Sequence, residues 1–126
     1  MELRQGIDIA SVKRMGEAIK RRGSRILQRI FTAEERAYCE SKRMKYEHYA
    51  ARFAAKEAVM KAVGVKRKDR FRFGEIEVRR HPTGKPFIYL SETTRKRFGL
   101  PEKFQMEVSL THEREYALAS VLILLP

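Results

Sequence analysis

Apolar and polar residues alternate from the first positions of the chain: Leu3, Gln5, Ile7 and Ile9 share one parity, Glu2, Arg4, Gly6 and Asp8 the other. That is the period of a short strand, with Asp8 on its less apolar side near its end. The spacing then changes to helical. Ser11 is placed to cap a basic helix over Val12 to Arg22, and Gly23 to stop it. Thr32 and Glu35 form a capping box for a second helix reaching about Ser41, and a third runs from about Lys45 to Val63 before Gly64 ends it. Val65 to Phe73 is too basic and irregular to assign. Ile76 to Arg80 and Phe87 to Leu90 read as a hairpin around His81-Pro82-Thr83-Gly84-Lys85-Pro86, where Pro and Gly supply turn geometry. Ser91 starts a short helix through Phe98. Phe104, Met106, Val108, Leu110 and His112 then alternate with Gln105, Glu107, Ser109 and Thr111, and Tyr116 to Leu125 is apolar on both parities, as a central strand would be. There is no repeat, low-complexity tract or linker. The expectation is one α+β domain spanning 1–126: a strand, three helices, then a mainly antiparallel sheet.

The long helix carries an anomaly. At roughly 100° per residue, Tyr46, Tyr49, Ala50, Phe53 and Met60 gather on one face, and Glu57 falls between Phe53 and Ala50 rather than opposite them. Lys61 follows one turn on, at the edge of the same face. Burying a lone carboxylate is costly unless a cation, a metal or several donors compensate it. The pattern therefore predicts a site where Glu57 meets positive charge; the ordinary alternative is a surface ion pair between Glu57 and Lys61.

Composition narrows the partners. A chain of 126 residues, 43% apolar, can build one core. Lys and Arg number 28 against 16 acidic residues, a formal charge of +12 that calls for anionic partners: nucleic acid, a membrane surface, a phosphorylated small molecule or an acidic protein. Cys39 is the one cysteine, so no internal disulfide framework exists and a reducing compartment, the cytoplasm, is expected. No stretch approaches the roughly 18 apolar residues of a membrane span, and the amino terminus lacks the pattern of a secretion signal.

Four features could carry chemistry. Asp8 and Glu57, with water and a substrate phosphate, make a good octahedral magnesium site. Val108-Ser109-Leu110-Thr111-His112 sets two hydroxyls on one parity of a strand and an imidazole at its end, able to meet phosphate oxygens or simply an edge with a hydrogen-bonded histidine. Gly84-Lys85-Pro86 is either a phosphate-proximal turn or a plain hairpin tip. Lys13, Arg14, Lys20, Arg21, Arg22 and Arg25 concentrate charge at the first helix, as a solvated face or a docking surface.

In order and content these elements resemble the short holo-acyl-carrier-protein synthase branch of the 4′-phosphopantetheinyl transferases. The resemblance spans nearly the whole chain. It rests on Gly6-Ile7-Asp8-Ile9, on Arg52-Phe53-Ala54-Ala55-Lys56-Glu57-Ala58 with Lys61, on Gly84-Lys85-Pro86, and on Val108-Ser109-Leu110-Thr111-His112 followed by Glu115-Tyr116-Ala117. It implies the transferase fold and transfer of phosphopantetheine from coenzyme A to a serine of an apo acyl carrier protein, in support of fatty acid biosynthesis. It further implies that Asp8 and Glu57 hold Mg²⁺, that Glu57 takes the serine proton, and that Lys61 reaches the pyrophosphate. Arg52 and His112 are then suited to the 3′-phosphate end of coenzyme A, with Ser109, Thr111 and the turn of Gly84, Lys85 and Pro86 lining the nucleotide pocket. Arg14, Arg21, Arg22 and Arg25 become the docking surface for an acidic carrier protein, and a homotrimer with sites between subunits is implied. Relatives often carry Ser or Thr after the motif histidine, where this chain has Glu113.

The rival reading is a basic nucleic-acid-binding protein, favoured by charge and by Lys66-Arg67-Lys68 and Arg70. It has no zinc-ligand spacing, aromatic single-strand signature or helix-turn-helix to support it, and it leaves Glu57 unexplained. A magnesium-dependent nuclease would use Asp8 and Glu57 too; magnesium-dependent affinity for coenzyme A separates the two.

Overall fold

Alanine-rich and free of internal Gly or Pro, the segment Lys45–Val63 forms the longest helix, α4, and the rest of the chain is arranged around it. A computed structural model describes residues 1–66 and 72–126. Of the basic stretch Lys66-Arg67-Lys68 and Arg70, all but Lys66 falls outside the described residues. Strand β1 (Glu2–Ser11) leads into α1 (Val12–Arg22), α2 (Ser24–Ile30), α3 (Ala33–Glu40) and α4. A 3₁₀ turn at Phe73–Glu75 precedes the hairpin β2 (Glu77–Arg80) and β3 (Pro86–Tyr89), then α5 (Glu92–Arg97), β4 (Gln105–His112) and β5 (Tyr116–Leu125). The α+β expectation holds, with local chemistry to match: Ser11 Oγ accepts from the Arg14 amide at 3.1 Å, and the Thr32–Glu35 capping box is closed in both directions. Gly64 ends α4 in the left-handed region at φ 81°.

The strands divide into two sheets. β5 lies between β1 and β4, antiparallel to both, and β2 and β3 form a separate hairpin whose β3 lies beside β4. The middle position of β5 is what its double-sided apolar pattern predicted. One helix was not expected: Ser24-Arg25-Ile26-Leu27-Gln28-Arg29-Ile30 forms α2, whose short apolar spacing is broken from α1 by Gly23.

β1 presents its sides in an unexpected way. Its less apolar side, carrying Gly6, Asp8 and Ala10, faces α4, while Leu3, Ile7 and Ile9 point outward at 67%, 56% and 57% exposure. Gly6 explains the choice. A Cβ there would lie 1.9 Å from the Ala58 carbonyl oxygen and 2.9 Å from the Ala62 amide nitrogen, so strand and helix meet backbone to backbone. Ala54, Ala58 and Ala62 on the helix keep that approach close.

α4 buries more than the single face the helix wheel predicts. It is covered by the three-stranded sheet and also by α1, α3 and β2, so burial wraps around it. Glu57 and Phe53 are left half-buried at an edge. The charge turned fully inward is its neighbour Lys56, 0% exposed. Its ammonium donates to Glu35 Oε1 at 2.8 Å, Phe73 O at 3.0 Å and Ile76 O at 2.6 Å, satisfying all three of its donors. Glu35 in turn accepts the Thr32 amide on Oε1 and the Val78 amide on Oε2, each at 2.8 Å. Burial holds the Lys56 pKa below its ordinary range, opposed by Glu35.

Lys56→Met should destabilise the protein by about 3–5 kcal/mol, because it leaves Glu35 buried without its cation. Chemical denaturation against the wild type measures this. A loss below about 1 kcal/mol would show that the pair is not a constraint on the fold.

Candidate active site

The close contact at Gly6 brings the polar residues of β1 against the second half of α4. Lys61 Nζ donates to Asp8 Oδ1 and to the Ile7 carbonyl, each at 3.0 Å. The Asp8 side chain is 17% exposed and that of Lys61 56%, so this ion pair borders solvent. Glu57 lies one turn before Lys61 on the same side of the helix. Phe53, another turn back, forms part of a cleft of about 960 Å³ lined by Arg21, Arg22, Arg25 and Arg29 from α1 and α2 and by Phe73, whose ring centroid is 5.6 Å from that of Phe53. Three of the arginines assigned to docking are thus in one cleft with the helix that bears Glu57. Arg14 is exposed on α1 but does not line it.

His112 and Arg52 belong to the other half of α4. His112 ends β4 on the helix-facing side, in the row of Ala10 and Ala117, next to the row of Asp8, Ala119 and Leu110. Two strand spacings and one row place its backbone about 12 Å from that of Asp8. Its Nδ1 is 2.8 Å from Glu47 Oε1, and its ring meets His48 edge-on at 4.7 Å. Arg52 is 2% exposed; its guanidinium carbon lies 4.0 Å over the Tyr38 ring, and its Nε is buried with no hydrogen-bond partner among the described residues. Arg80 approaches the same ring at 5.0 Å. A buried, under-satisfied guanidinium beside a second one is electrostatically ready for an anion.

The remaining expected residues point elsewhere. Ser109 and Thr111 are exposed on the outer side of the sheet, away from α4, in rows with Ser120 and Leu118. In the hairpin, Gly84 takes φ 93° and the His81 amide donates to the Lys85 carbonyl at 2.9 Å; Lys85 Nζ reaches Glu107 on that outer side at 3.2 Å. Pro86 opens β3 opposite Arg80. Within one chain the expected residues therefore form three groups: Asp8, Glu57 and Lys61; Arg52 and His112; and Ser109 and Thr111 with the Gly84 to Pro86 turn. Glu113 has a local task, since its Oε1 accepts the Glu115 and Tyr116 amides at 2.8 and 2.9 Å and closes the turn into β5.

The family model for the 4′-phosphopantetheinyl transferase superfamily matches residues 4–121. The chain belongs to that superfamily. It is 41% identical over 124 residues to the holo-[acyl-carrier-protein] synthase of Ruminiclostridium cellulolyticum, covering 98% of this chain and 92% of that one. It is 40% identical to the synthase of Koribacter versatilis, covering 98% of both. The crystal structure of the Helicobacter pylori holo-[acyl-carrier-protein] synthase in complex with coenzyme A superposes with a TM-score of 0.81 at 30% identity, over 94% of this chain and 98% of that one.

In this phosphopantetheinyl transferase, could the residues present hold a divalent ion? Among the described residues no group of three or more His, Cys, Asp or Glu side chains converges. A Mg²⁺ that keeps waters and substrate oxygens needs only one or two carboxylates. Asp8 already accepts a cation, the Lys61 ammonium, at the solvent border, so the donor set fits such an ion.

Sequence reasoning missed Glu47, His48 and Tyr38, which surround His112 and Arg52, and Arg29 in the cleft. The signal available for Glu47 was a carboxylate in the first turn of α4, which reads as an ordinary helix-dipole residue. Cys39 is buried, and burial pushes its thiol up to about 12, so it is unreactive near neutrality.

Burial, with the positive charge of His112, Arg52 and Lys42, holds His48 below its ordinary pKa. As pH falls below the unfolded value of about 6.5 the unfolded chain takes up this proton first, so stability present above that value is lost until the lower folded pKa is passed. A His48→Gln variant should show a flatter fall in denaturation midpoint between pH 7 and pH 5 than the wild type. An unchanged slope would mean that His48 titrates as it does in the unfolded chain.

Proposed function

We propose that this chain is a holo-acyl-carrier-protein synthase, transferring 4′-phosphopantetheine from coenzyme A to a serine of an apo acyl carrier protein and releasing adenosine 3′,5′-bisphosphate. The observation that carries the reading is the junction of β1 and α4: Asp8 and Lys61 in contact, Glu57 one turn away, and an arginine-lined cleft one turn further along the helix at Phe53. The serine oxygen forms a bond to the β-phosphorus of coenzyme A as the pyrophosphate bridge breaks. Glu57 takes the serine proton. Lys61 turns from Asp8 to the pyrophosphate and stabilises charge on the leaving phosphate. Asp8 and Glu57 would hold Mg²⁺, which when bound offsets the pyrophosphate charge that repels the attacking hydroxyl. Arg52 and His112 receive the 3′-phosphate end, and Ser109, Thr111 and the turn of Gly84, Lys85 and Pro86 line the nucleotide pocket.

The basic surface receives the carrier protein. Exposed Arg14, Arg21, Arg22 and Arg25 attract an acidic partner, an attraction that raises the association rate and weakens with salt. The product serves fatty acid biosynthesis, and the protein works in the cytoplasm; no helix among the described residues is long and apolar enough to cross a membrane. The nucleic-acid alternative has only the overall charge in its favour.

Incubation with an apo acyl carrier protein, coenzyme A and Mg²⁺ should add one phosphopantetheine to the carrier's intact mass. Glu57→Ala should abolish the gain. Charge reversal at Arg14 and Arg21 should slow it severely while leaving coenzyme A binding intact; equal loss of both would remove the docking assignment, and no gain with several carriers would remove the function.

We further propose a homotrimer with sites shared between subunits. Support comes from the outward apolar face formed by Leu3, Ile7, Ile9, Tyr116 and Leu122, which a sheet in water would not leave bare, and from Ser109, Thr111 and Lys85 lying on that same outer side, away from Glu57. Sedimentation should give three 14.8 kDa chains per particle, and Ile7→Asp should dissociate it. An active monomer would overturn the proposal.

A further inference from the structure

Glu47 is 8% exposed, in the first turn of α4. A carboxylate so placed must find a donor or a cation. Among the described residues its side chain pairs with no Lys or Arg; it meets Nδ1 of His112, delivered by the end of β4, at 2.8 Å. The imidazole is more open than the carboxylate, the two side chains being 31% and 10% exposed. A proton shared with a buried carboxylate at Nδ1 fixes two things: the plane of the ring, and which nitrogen faces outward. Nε2 is then the atom His112 offers to a ligand. His48, edge-on to the ring at 4.7 Å, packs against it.

We infer that Glu47 is a positioning residue for the coenzyme A site, holding His112 by Nδ1 so that Nε2, as an N–H donor of the doubly protonated ring in the complex, addresses the ligand's 3′-phosphate, and that it thereby sets the preference for coenzyme A over its 3′-dephospho form. The inference rests on the proposed function, through His112 as the residue at that phosphate. In this role Glu47 acts through the ring of His112. Its carboxylate would repel the phosphate if it reached it directly, and the 2.8 Å contact to the imidazole turns that charge into an aim for the ring. An ordinary first-turn Glu would instead lie exposed at the helix end and interact with the dipole alone.

The test uses the full chain, with isothermal titration of coenzyme A and of 3′-dephospho-coenzyme A against wild type, Glu47→Gln, Glu47→Ala and His112→Ala. Wild type should prefer coenzyme A. Glu47→Ala should lose about tenfold for coenzyme A, the size of one charge-assisted hydrogen bond, and almost nothing for the dephospho form. Glu47→Gln, which keeps the shape and an acceptor oxygen, should fall between. In the His112→Ala background, Glu47→Ala should have no further effect. Nitrogen-15 spectra of the free protein supply a readout independent of ligand: a proton should be held on His112 Nδ1 in the wild type, and that hold should be lost in Glu47→Ala. Equal loss for both ligands, or an unchanged preference in both Glu47 variants, overturns the positioning role while leaving the enzyme reading intact. A wild type that binds neither ligand overturns both.

Discussion

The structure depends on an ammonium group buried where no water can reach it. Lys56 has its three donors committed to Glu35, Phe73 and Ile76, and Glu35 has its oxygens committed to Lys56, Thr32 and Val78. Those partners belong to five pieces of the chain: the N-terminus of α3, α4, the 3₁₀ turn, the residue leading into β2, and β2 itself. Moving any one strands a charge or a peptide group in a low dielectric, so the arrangement is fixed all at once. Because Glu57 is the next residue and Phe53 lies one turn before it, the same knot fixes both, and with Phe53 the wall that α4 gives the arginine-lined cleft. It also ties the β2–β3 hairpin, and so the Gly84 to Pro86 turn, to the helix.

The second constraint acts on the other side of α4. Gly6 lets β1 lie against the helix backbone, and that decides which parity of the strand faces inward. Asp8 is carried toward Lys61 and the apolar residues outward. A strand whose better hydrophobic side is turned to solvent is a poor bargain for a lone chain, and it becomes sensible when another copy covers that face. The position of Asp8 and the outward apolar face of β1 thus share one cause.

Much of this was legible in the sequence. Caps carried the helix limits, since Ser11, the Thr32–Glu35 box and Gly64 act through bonds within four residues, and the double-sided apolar run of β5 gave its central place. α2 was hidden because Ile26, Leu27 and Ile30 make less than two turns of pattern, too short for periodicity to register. The wheel argument for Glu57 assumed one buried face, whereas α4 is covered on several, so Glu57 is half-buried at an edge and its neighbour Lys56 is the charge turned fully inward. Nothing local could reveal that Lys56 meets Glu35 or that Glu47 meets His112: these pairs are 21 and 65 residues apart and exist only once the sheet has closed. The Asp8–Glu57 grouping was tertiary in the same sense, and the family resemblance, not the spacing, supplied it.

Three of the charged pairs that α4 makes, Lys56–Glu35, Lys61–Asp8 and Glu47–His112, differ mainly in access to water, and that difference divides their labour. The Lys56–Glu35 pair is fully buried, and breaking it strands a charge at a cost of about 3–5 kcal/mol. It can only be structural. The Asp8–Lys61 pair lies at the solvent border, where an ion pair is worth about 1 kcal/mol or less. Either member can take another partner of opposite charge at almost no loss. Glu47 and His112 lie between, the carboxylate nearly buried and the imidazole a third exposed, so one end of the pair is anchored while the other stays available. Along one helix the sequence Glu47, Lys56, Lys61 therefore runs from a charge anchored at one end, through a fixed one, to an exchangeable one. The knot at Lys56 is what lets its two neighbouring pairs be loose without the helix moving.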